Sequence, residues 1–473
     1  MNSVASWVFW LSVFPGQASS VSNPVIEQAE RLRDEALADD TAYRYLEALT
    51  TEIGPRLAGT EDEARARRWT VQALQHLGFK KSQIRLEPFE METWVRGEEK
   101  ARLVAPFPQP LVVTALGRSG STGAKGLEAP LVVFETIEDL EAIKDGSLAG
   151  KVAYVSHRMG KTQDGSSYSY FGRARFSGPA IAAKKGARAI MIRSIGTHSH
   201  RLPHTGATGW GKTEPIPALA VSPPDADLIE RVATRGKTIR VALTATPRIL
   251  GTTKSANVIV DIPGRARPDE IVIAGGHLDS WDLGTGAVDD GAGVAITTAA
   301  VRLIQKLGVR PARTIRLVHW GAEEVGLLGA KAYAKKHKDE IAKHMIGSES
   351  DFGAQRIYRI NSNVSDEGQR VIDTIVRVLA PLGVGRGLVG SAFQGSGGPD
   401  LSPLHPLGLP RVSLAQDGTD YFDLHHTPDD TFDKIEDAAL RQNVAAYAVF
   451  LWIAANVETE FRPRAPTAVT TSE

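Results

Sequence analysis

The chain has 473 residues, with 55 basic and 55 acidic side chains, so its formal net charge is zero. Its basic residues are scattered, which argues against a nucleic-acid-binding protein and against a polybasic membrane anchor. It contains no cysteine, so disulfides are excluded, and its length favours two or three domains.

The first residues suggest export. Residues 4–14 form an apolar run with the length of a signal-peptide core, and residues 16–20 supply small side chains for cleavage. The run is too short to span a bilayer. It has no Lys or Arg before it, so a buried N-terminal helix or strand is the alternative. We expect a signal peptide at residues 1–22, a secreted or periplasmic protein, and no stable membrane insertion.

Helical and extended patterns alternate along the rest of the chain. Helices are predicted at 24–39, 40–52, 60–77, 179–185, 292–307, 325–337 and 436–458. Strands are predicted near 84–94, 100–105, 258–262, 271–275, 314–320, 356–360 and 411–415. This alternation indicates an α/β fold with one mixed sheet flanked by helices.

Residues 106–247 differ in character, because they are rich in Gly, Ser and Pro and contain short apolar strands. A Gly-Lys-Val-Ala-Tyr-Val strand, a short helix and the strand at 189–192 resemble a β-rich protease-associated domain. The resemblance makes 106–247 an insertion in a discontinuous catalytic domain of residues 23–105 and 248–463, with 464–473 as a flexible tail. An independent β-rich module without a catalytic part is the alternative.

Five groups of potential metal ligands lie at predicted strand ends, helix starts or loops. They are His277 with Asp279, Asp289 with Asp290, Glu323 with Glu324, Glu349 with Asp351, and His425 with His426. All are imidazoles or carboxylates, which suit zinc. In an open α/β sheet the carboxyl ends of the strands face the ligand crevice.

Each group has an ordinary explanation, since a lone histidine is usually structural and an acidic pair usually caps a helix or faces water. Five groups with complementary donors are hard to obtain by accident, so the pattern favours a metal site. Five ligands exceed the number that one catalytic zinc with an open position accepts. They suit two metal ions that share one bridging carboxylate.

These residues resemble a known family, the two-zinc exopeptidases that include the bacterial leucyl aminopeptidases and glutamate carboxypeptidase II. The pattern is most similar to the plasma glutamate carboxypeptidase branch. The most specific strings are His277-x-Asp279-Ser-Trp-Asp and Asp289-Asp290-Gly-Ala-Gly, and further similarity lies at 53–59, 193–195, 203–206, 310–324 and 425–426. The resemblance implies a mixed-sheet, phosphorylase/hydrolase-like zinc-exopeptidase fold and a homodimer.

Carried over position by position, the resemblance implies two zinc ions per chain. His277 and Asp351 would bind one ion, Glu324 and His426 would bind the other, and Asp289 would bridge them. The family pattern His-Ser/Thr-x-x-Asp-Thr matches the sequence from His426, so we choose His426 over its neighbour as the ligand.

The same resemblance implies two catalytic roles. Glu323 would be the general base, because a carboxylate that is not a ligand can accept a proton from a water and pass it to the leaving amine. Asp279 would bind the far nitrogen of His277 with its carboxylate and so fix the tautomer of that ligand.

The loop at 394–400 is rich in glycine and could expose several N–H donors to a substrate carboxylate. We therefore name Ser396, Gly397, Gly398 and Asp400, together with His425, as candidate substrate contacts. A flexible connection is the alternative for this loop.

The combined pattern predicts a metal-dependent exopeptidase that acts on short peptides, and the resemblance points to unsubstituted dipeptides. Alternatives are an aminopeptidase for longer peptides, an amide hydrolase or cyclase for modified amino acids, and a non-catalytic metal-binding protein with the same fold. Glu323 beside an intact ligand set favours an enzyme. We expect the 106–247 segment to roof the site, with residues 203–206 at its entrance.

Overall fold

The structure, a computed structural model, describes residues 21–463. The predicted signal peptide lies outside the described residues except for Val21 and Ser22, and the predicted tail at 464–473 lies outside them entirely. Val21 is buried, and Ser22 is the N-cap of the first helix.

Helices and strands alternate as expected. The α-helices of the described residues are α1 (Asn23–Ala38), α2 (Thr41–Ala48), α3 (Glu61–His76), α4 (Ile137–Ala142), α5 (Tyr168–Phe171), α6 (Arg173–Phe176), α7 (Gly178–Lys184), α8 (Pro223–Ala233), α9 (Ala292–Lys306), α10 (Leu328–Lys336), α11 (Asp366–Leu379), α12 (Tyr421–Leu424) and α13 (Asp437–Asn456). The strands are β1 (Ile84–Val95), β2 (Glu99–Ala105), β3 (Gln109–Leu111), β4 (Val113–Ala115), β5 (Leu127–Phe134), β6 (Val152–Val155), β7 (Ala189–Arg193), β8 (Ala218–Val221), β9 (Ile239–Ala245), β10 (Arg248–Ile262), β11 (Arg267–His277), β12 (Arg313–Trp320), β13 (His344–Glu349), β14 (Ile357–Asn363), β15 (Gly385–Val389) and β16 (Arg411–Gln416).

A five-stranded mixed sheet forms the centre of the molecule, in the order β1-β10-β12-β11-β13. β11 is parallel to both β12 and β13, so the carboxyl ends of these three strands meet at one edge. Helices α9 and α13 pack on this sheet through almost wholly buried side chains. α13 is long and apolar enough to cross a bilayer, but 89% of that stretch is buried in the fold, as in a core helix.

A second sheet has eight strands in the order β3-β2-β9-β5-β6-β7-β8-β4. It includes β2, so the prediction that this strand belongs to the central sheet is wrong. β2 pairs with β9 instead, and strand pairing over such a sequence distance cannot be read from local pattern. The chain enters the sheet at Gly97, where a Cβ atom would lie 2.0 Å from the carbonyl oxygen of Thr246 on the returning chain, so only glycine fits.

A third, three-stranded sheet has the order β15-β14-β16. The sequence predicts β14 and β16 in the central sheet, and this too is wrong, because β14 pairs with β16 and with β15. Helix α10 begins three residues later than predicted, because Ala322 and Leu327 adopt left-handed backbone with φ of 57° and 58°. The resulting turn holds residues 323 and 324 beside the central sheet edge.

A buried arginine ties the N-terminal segment to the loop that follows β11. Arg56 has 0% exposure, and burial lowers the pKa of its guanidinium. The group donates only to main-chain oxygens, those of Gly54 (2.9 Å), Leu278 (2.6 Å), Thr285 (2.6 Å) and Gly286 (2.8 Å). Arg56 therefore holds the loop of residues 278–286 in place, and no carboxylate of residues 21–463 forms an ion pair with it.

We expect Arg56→Met to lower the free energy of unfolding by about 3 kcal/mol, because it leaves buried carbonyls without donors. Urea unfolding measures the change. Arg68→Met is the control, since Arg68 pairs with Glu61 on the exposed surface and such pairs contribute at most about 1 kcal/mol. Equal losses for the two variants would contradict the role given to Arg56.

Candidate active site

The predicted ligand groups converge at one edge of the central sheet. His277 is the last residue of β11, and Asp351 follows β13 by two residues. Glu323 and Glu324 follow β12 in the turn before α10. Because β11, β12 and β13 are parallel, their carboxyl ends bring these side chains together, as an open α/β sheet does at its ligand site.

Asp289 lies between two histidines. It belongs to the turn Ala287–Gly291 that precedes α9, and it is 4% exposed. Its Oδ1 is 3.1 Å from Nε2 of His277, and its Oδ2 is 3.2 Å from Nε2 of His426. One carboxylate thus presents a different oxygen to each histidine, which is the arrangement that a bridging ligand needs.

Each histidine has a second carboxylate beside it. Asp351 Oδ1 lies 3.5 Å from Nε2 of His277, and Glu324 Oε2 lies 2.9 Å from Nε2 of His426. The structure therefore forms two His–carboxylate pairs with Asp289 between them. It groups the side chains in the same pairs that the family resemblance implies.

The buried donors fit a metal. Asp289 Oδ2 and Glu324 Oε1 have no hydrogen-bond partner among the described residues. Burial, assisted by the carboxylate of Asp351, raises the pKa of Glu323 and of Asp290 well above their usual range. Buried carboxylate oxygens without a hydrogen bond are costly, and cations bound to them would relieve this cost. The oxygen and nitrogen donors without sulfur suit zinc.

The histidine doublet divides into two roles. Burial opposes protonation of His426, but the carboxylates of Glu324 and Asp289 raise its pKa to about 9. His425 stacks on the His426 ring, with ring centroids 3.5 Å apart, and its Nε2 lies 3.6 Å from Asp289. Burial and the neighbouring His426 lower the pKa of His425 well below its usual range. His426 contacts two carboxylates and His425 only one, which favours His426 as the ligand.

The prediction for Asp279 needs correction. His277 Nδ1 donates to the main-chain oxygen of Asp279 (2.8 Å), whereas the nearer carboxylate oxygen of Asp279 lies 3.8 Å from that nitrogen. The carboxylate instead accepts the main-chain N–H groups of Glu323 (3.0 Å) and Glu324 (3.2 Å). Asp279 thus orients His277 with its backbone and fixes the turn of the two glutamates with its side chain.

Two supporting carboxylates were not assigned roles from sequence. Asp290 accepts the N–H groups of His277 (2.9 Å) and Gly293 (3.1 Å). Asp430 accepts those of Val288 (2.6 Å) and Asp289 (3.2 Å). Both residues stand close in sequence to a proposed ligand, Asp290 beside Asp289 and Asp430 four residues after His426. The sequence alone does not show whether such a carboxylate binds the metal or binds the main chain of a ligand.

The glycine-rich loop does not form the predicted carboxylate site. Ser396, Gly397, Gly398 and Asp400 do not line the cavity beside the metal ligands. The carbonyl of Gly397 accepts the N–H of Glu349, and Asp400 is fully buried with its own N–H bonded to Glu349. Residues 397–400 are bonded to the end of β13, Pro399 of this loop reaches the cavity, and of the predicted substrate contacts only His425 lines it.

A cavity of about 510 Å³ lies over the ligands, a size suited to a small molecule. The wall from the central sheet region holds the metal site, residues 325–327, Phe352 and Tyr421. The opposite wall comes from the 106–247 segment and consists of Arg118, Tyr168, Arg175, Phe176 and residues 207–209. His204 and Thr205 were predicted for the entrance. They do not line the cavity; His204 contacts the carbonyl oxygen of His425, and the carbonyl oxygen of Thr205 contacts the ring of His426.

Arg175 is a feature of this cavity that the sequence did not reveal. It is 3% exposed, lines the cavity, and has no carboxylate within ion-pair distance among residues 21–463. Its Nη1 donates to the carbonyl oxygen of Thr205 (3.3 Å) and lies 3.1 Å from Nδ1 of His426. Its Nη2 contacts the Tyr168 hydroxyl, and its Nε has no hydrogen-bond partner among the described residues. The guanidinium also lies over the ring of Phe176, 4.4 Å from its centroid, and an anion in the cavity would compensate its buried charge.

Comparison with known proteins agrees with the geometry. Residues 257–451 match the model of Peptidase family M28. Over 428 residues the chain is 32% identical to Carboxypeptidase Q of Bos taurus, an alignment that covers 90% of this chain and 88% of the relative.

Two solved structures share the fold. A Peptidase M28 precursor from Shewanella amazonensis superposes with a TM-score of 0.90 at 47% identity, over 94% of this chain and all of that chain. A zinc aminopeptidase from Bacillus subtilis has a TM-score of 0.63 at 20% identity, over 89% of this chain and 96% of that chain, which shows the fold alone. The chain therefore belongs to peptidase family M28 and is a metallo-exopeptidase.

Proposed function

We propose that this enzyme uses two zinc ions to hydrolyse unsubstituted dipeptides. The observation that carries the proposal is the position of Asp289 between two His–carboxylate pairs, at the floor of a cavity that also contains an unpaired arginine. His277 and Asp351 would hold one ion, His426 and Glu324 the other, and Asp289 both. Zinc bound there would polarise the scissile carbonyl and acidify a water molecule.

Glu323 is proposed as the general base. Its side chain lines the cavity, and the Asp279 carboxylate holds its main-chain N–H. It is absent from the groups of donors that lie close enough to share an ion. A carboxylate beside the metal ligands can take a proton from water and return it to the leaving amine.

Arg175 is proposed as the group that binds the substrate's terminal carboxylate. A guanidinium forms paired hydrogen bonds with a carboxylate, and Arg175 is buried at the cavity wall with no such partner in the part of the chain that the structure describes. A free dipeptide would supply that carboxylate. The role replaces the one predicted for the loop at 394–400.

The 106–247 segment is proposed as an inserted, protease-associated-like domain that limits substrate size. It supplies one wall of the cavity, and a cavity of about 510 Å³ admits a short peptide but not a folded protein. The homodimer and the export of the chain stay predictions from the sequence.

Zinc should bind with release of protons. The pKa of His426 is raised to about 9, since burial opposes protonation but Glu324 and Asp289 favour it. The metal-free imidazole is therefore protonated at pH 7 and must lose its proton to bind zinc, so the apparent affinity should fall as the pH is lowered. Calorimetric titration of chelator-treated protein in buffers of different ionisation enthalpy should show two zinc ions per chain and proton release. A stoichiometry of one with full activity would refute the two-zinc proposal.

Glu323→Gln should retain zinc but lose turnover by ~100-fold or more, because the amide cannot accept a proton. Metal analysis and dipeptide hydrolysis are measured on the same sample. Glu324→Gln is the matched variant and should weaken zinc binding. If Glu323→Gln stays active while Glu324→Gln keeps both ions and loses only turnover, the two roles are exchanged.

Arg175→Met should raise KM for a free dipeptide by ~10-fold or more, because a charge-assisted bond to a carboxylate contributes about 1.5–3 kcal/mol. The corresponding dipeptide amide serves as the control substrate, since it lacks that carboxylate. An equal effect on both substrates would show that the change acts on the metal site instead. Efficient hydrolysis of aminoacyl-anilides by the wild-type enzyme, with poor hydrolysis of dipeptides, would favour the aminopeptidase alternative.

A further inference from the structure

The main chain of His426 is held by a residue of the second sheet's segment. His426 has a left-handed backbone with φ of 61°, which is uncommon for a residue with a side chain. The main-chain N–H of Thr205 donates to the carbonyl oxygen of His426 (3.0 Å), and Thr205 lies between β7 and β8. A strained backbone of this kind persists only where surrounding contacts impose it.

The same residue also holds the His426 ring. The carbonyl oxygen of Thr205 lies 3.2 Å from Nδ1 of His426. When Nε2 of a histidine binds a metal, Nδ1 carries the hydrogen, and the acceptor of that hydrogen fixes the ring and its tautomer. Thr205 thus contacts His426 at two points, one on the backbone and one on the ring.

The Thr205 side chain is itself fixed. Thr205 is 0% exposed, and its hydroxyl donates to the carbonyl of Ala115 (2.9 Å) and accepts from Nη2 of Arg96 (3.1 Å). Arg96 donates hydrogen bonds to both carboxylate oxygens of Asp282, from Nε at 2.8 Å and from Nη2 at 2.7 Å. Asp282 belongs to the loop after β11, so Arg96 connects Thr205 with the chain that carries His277.

Trp281 completes the enclosure of the ring. Its ring centroid lies 5.8 Å from that of His426 and 6.4 Å from that of Trp94. The indole fits only because residue 117 is glycine, where a Cβ atom would come within 2.1 Å of it. The indole of Trp281 and the main chain of Thr205 therefore enclose one proposed zinc ligand from two different segments.

We propose that Thr205 and Arg96 are positioning residues for the His426 zinc site. The segment of the second sheet then has two roles, because it walls the cavity and also builds the surroundings of one metal ligand. This inference rests on the proposed function in that it takes His426 to be a zinc ligand. It assigns no contact between either residue and the substrate.

Thr205→Val tests the inference, since it removes the hydroxyl while keeping the size and the main-chain groups that contact His426. Thr205→Ser keeps the hydroxyl. Thr374→Val is the matched control, because Thr374 in α11 is also buried and its hydroxyl likewise donates to a carbonyl, that of Arg370, and accepts from an arginine, Arg377. The zinc affinity of each site is measured by competition with a chelator, and the ring nitrogens of His426 are followed by ¹⁵N NMR.

Thr205→Val should weaken one of the two zinc sites by ~10-fold or more and shift the His426 ring nitrogens, whereas Thr205→Ser and Thr374→Val should match the wild type. Two unchanged sites in Thr205→Val would overturn the inference while leaving the proposed function intact. Equal weakening of both sites, or the same loss in Thr374→Val, would also overturn it, because it would indicate general destabilisation. Failure of the wild-type protein to bind two zinc ions would instead refute the proposed function.

Discussion

The structure depends on keeping several carboxylates together in a buried place. Asp279, Asp289, Asp290 and Glu324 are each no more than 7% exposed. Burying an ion costs several kcal/mol, and like charges in a medium of low dielectric repel one another strongly. The fold offsets part of this cost with main-chain N–H donors and leaves part of it uncompensated. The carboxylate oxygens that no N–H group reaches are those to which metal ions would bind.

Main-chain hydrogen bonds distinguish three supporting acids from Asp289 and Glu324. The carboxylates of Asp279, Asp290 and Asp430 each accept two main-chain N–H groups, so their oxygens are occupied in holding the backbone. Asp289 Oδ2 and Glu324 Oε1 have no such donor among the described residues. Residue type alone does not distinguish these two groups of acids. Hydrogen bonding does.

The second sheet contributes to the site as well as covering it. Arg175 and Thr205 both belong to its segment, and both contact His426. A buried guanidinium without a carboxylate is unfavourable in isolation, and perturbed charges of this kind concentrate at functional sites. The chemistry of the site therefore depends on how the two sheets are joined. Arg96 contributes to this junction, because it binds Asp282 in the loop after β11 and also donates to Thr205 and to the carbonyl of Ala115.

The amino-acid sequence by itself determined the elements and the donor groups, because periodicity and ligand type are local properties. It predicted the buried strands before His277 and Glu323 and the helix after Asp289. It placed β2, β14 and β16 in the wrong sheet, since strand pairing depends on distant partners. Only the tertiary structure decided which oxygen of Asp279 meets His277, that Gly397 and Asp400 are bonded to Glu349, and that Arg175 has no carboxylate partner among the described residues. Each of these depends on contacts between residues far apart in the chain, and such contacts leave no periodic signal in the sequence.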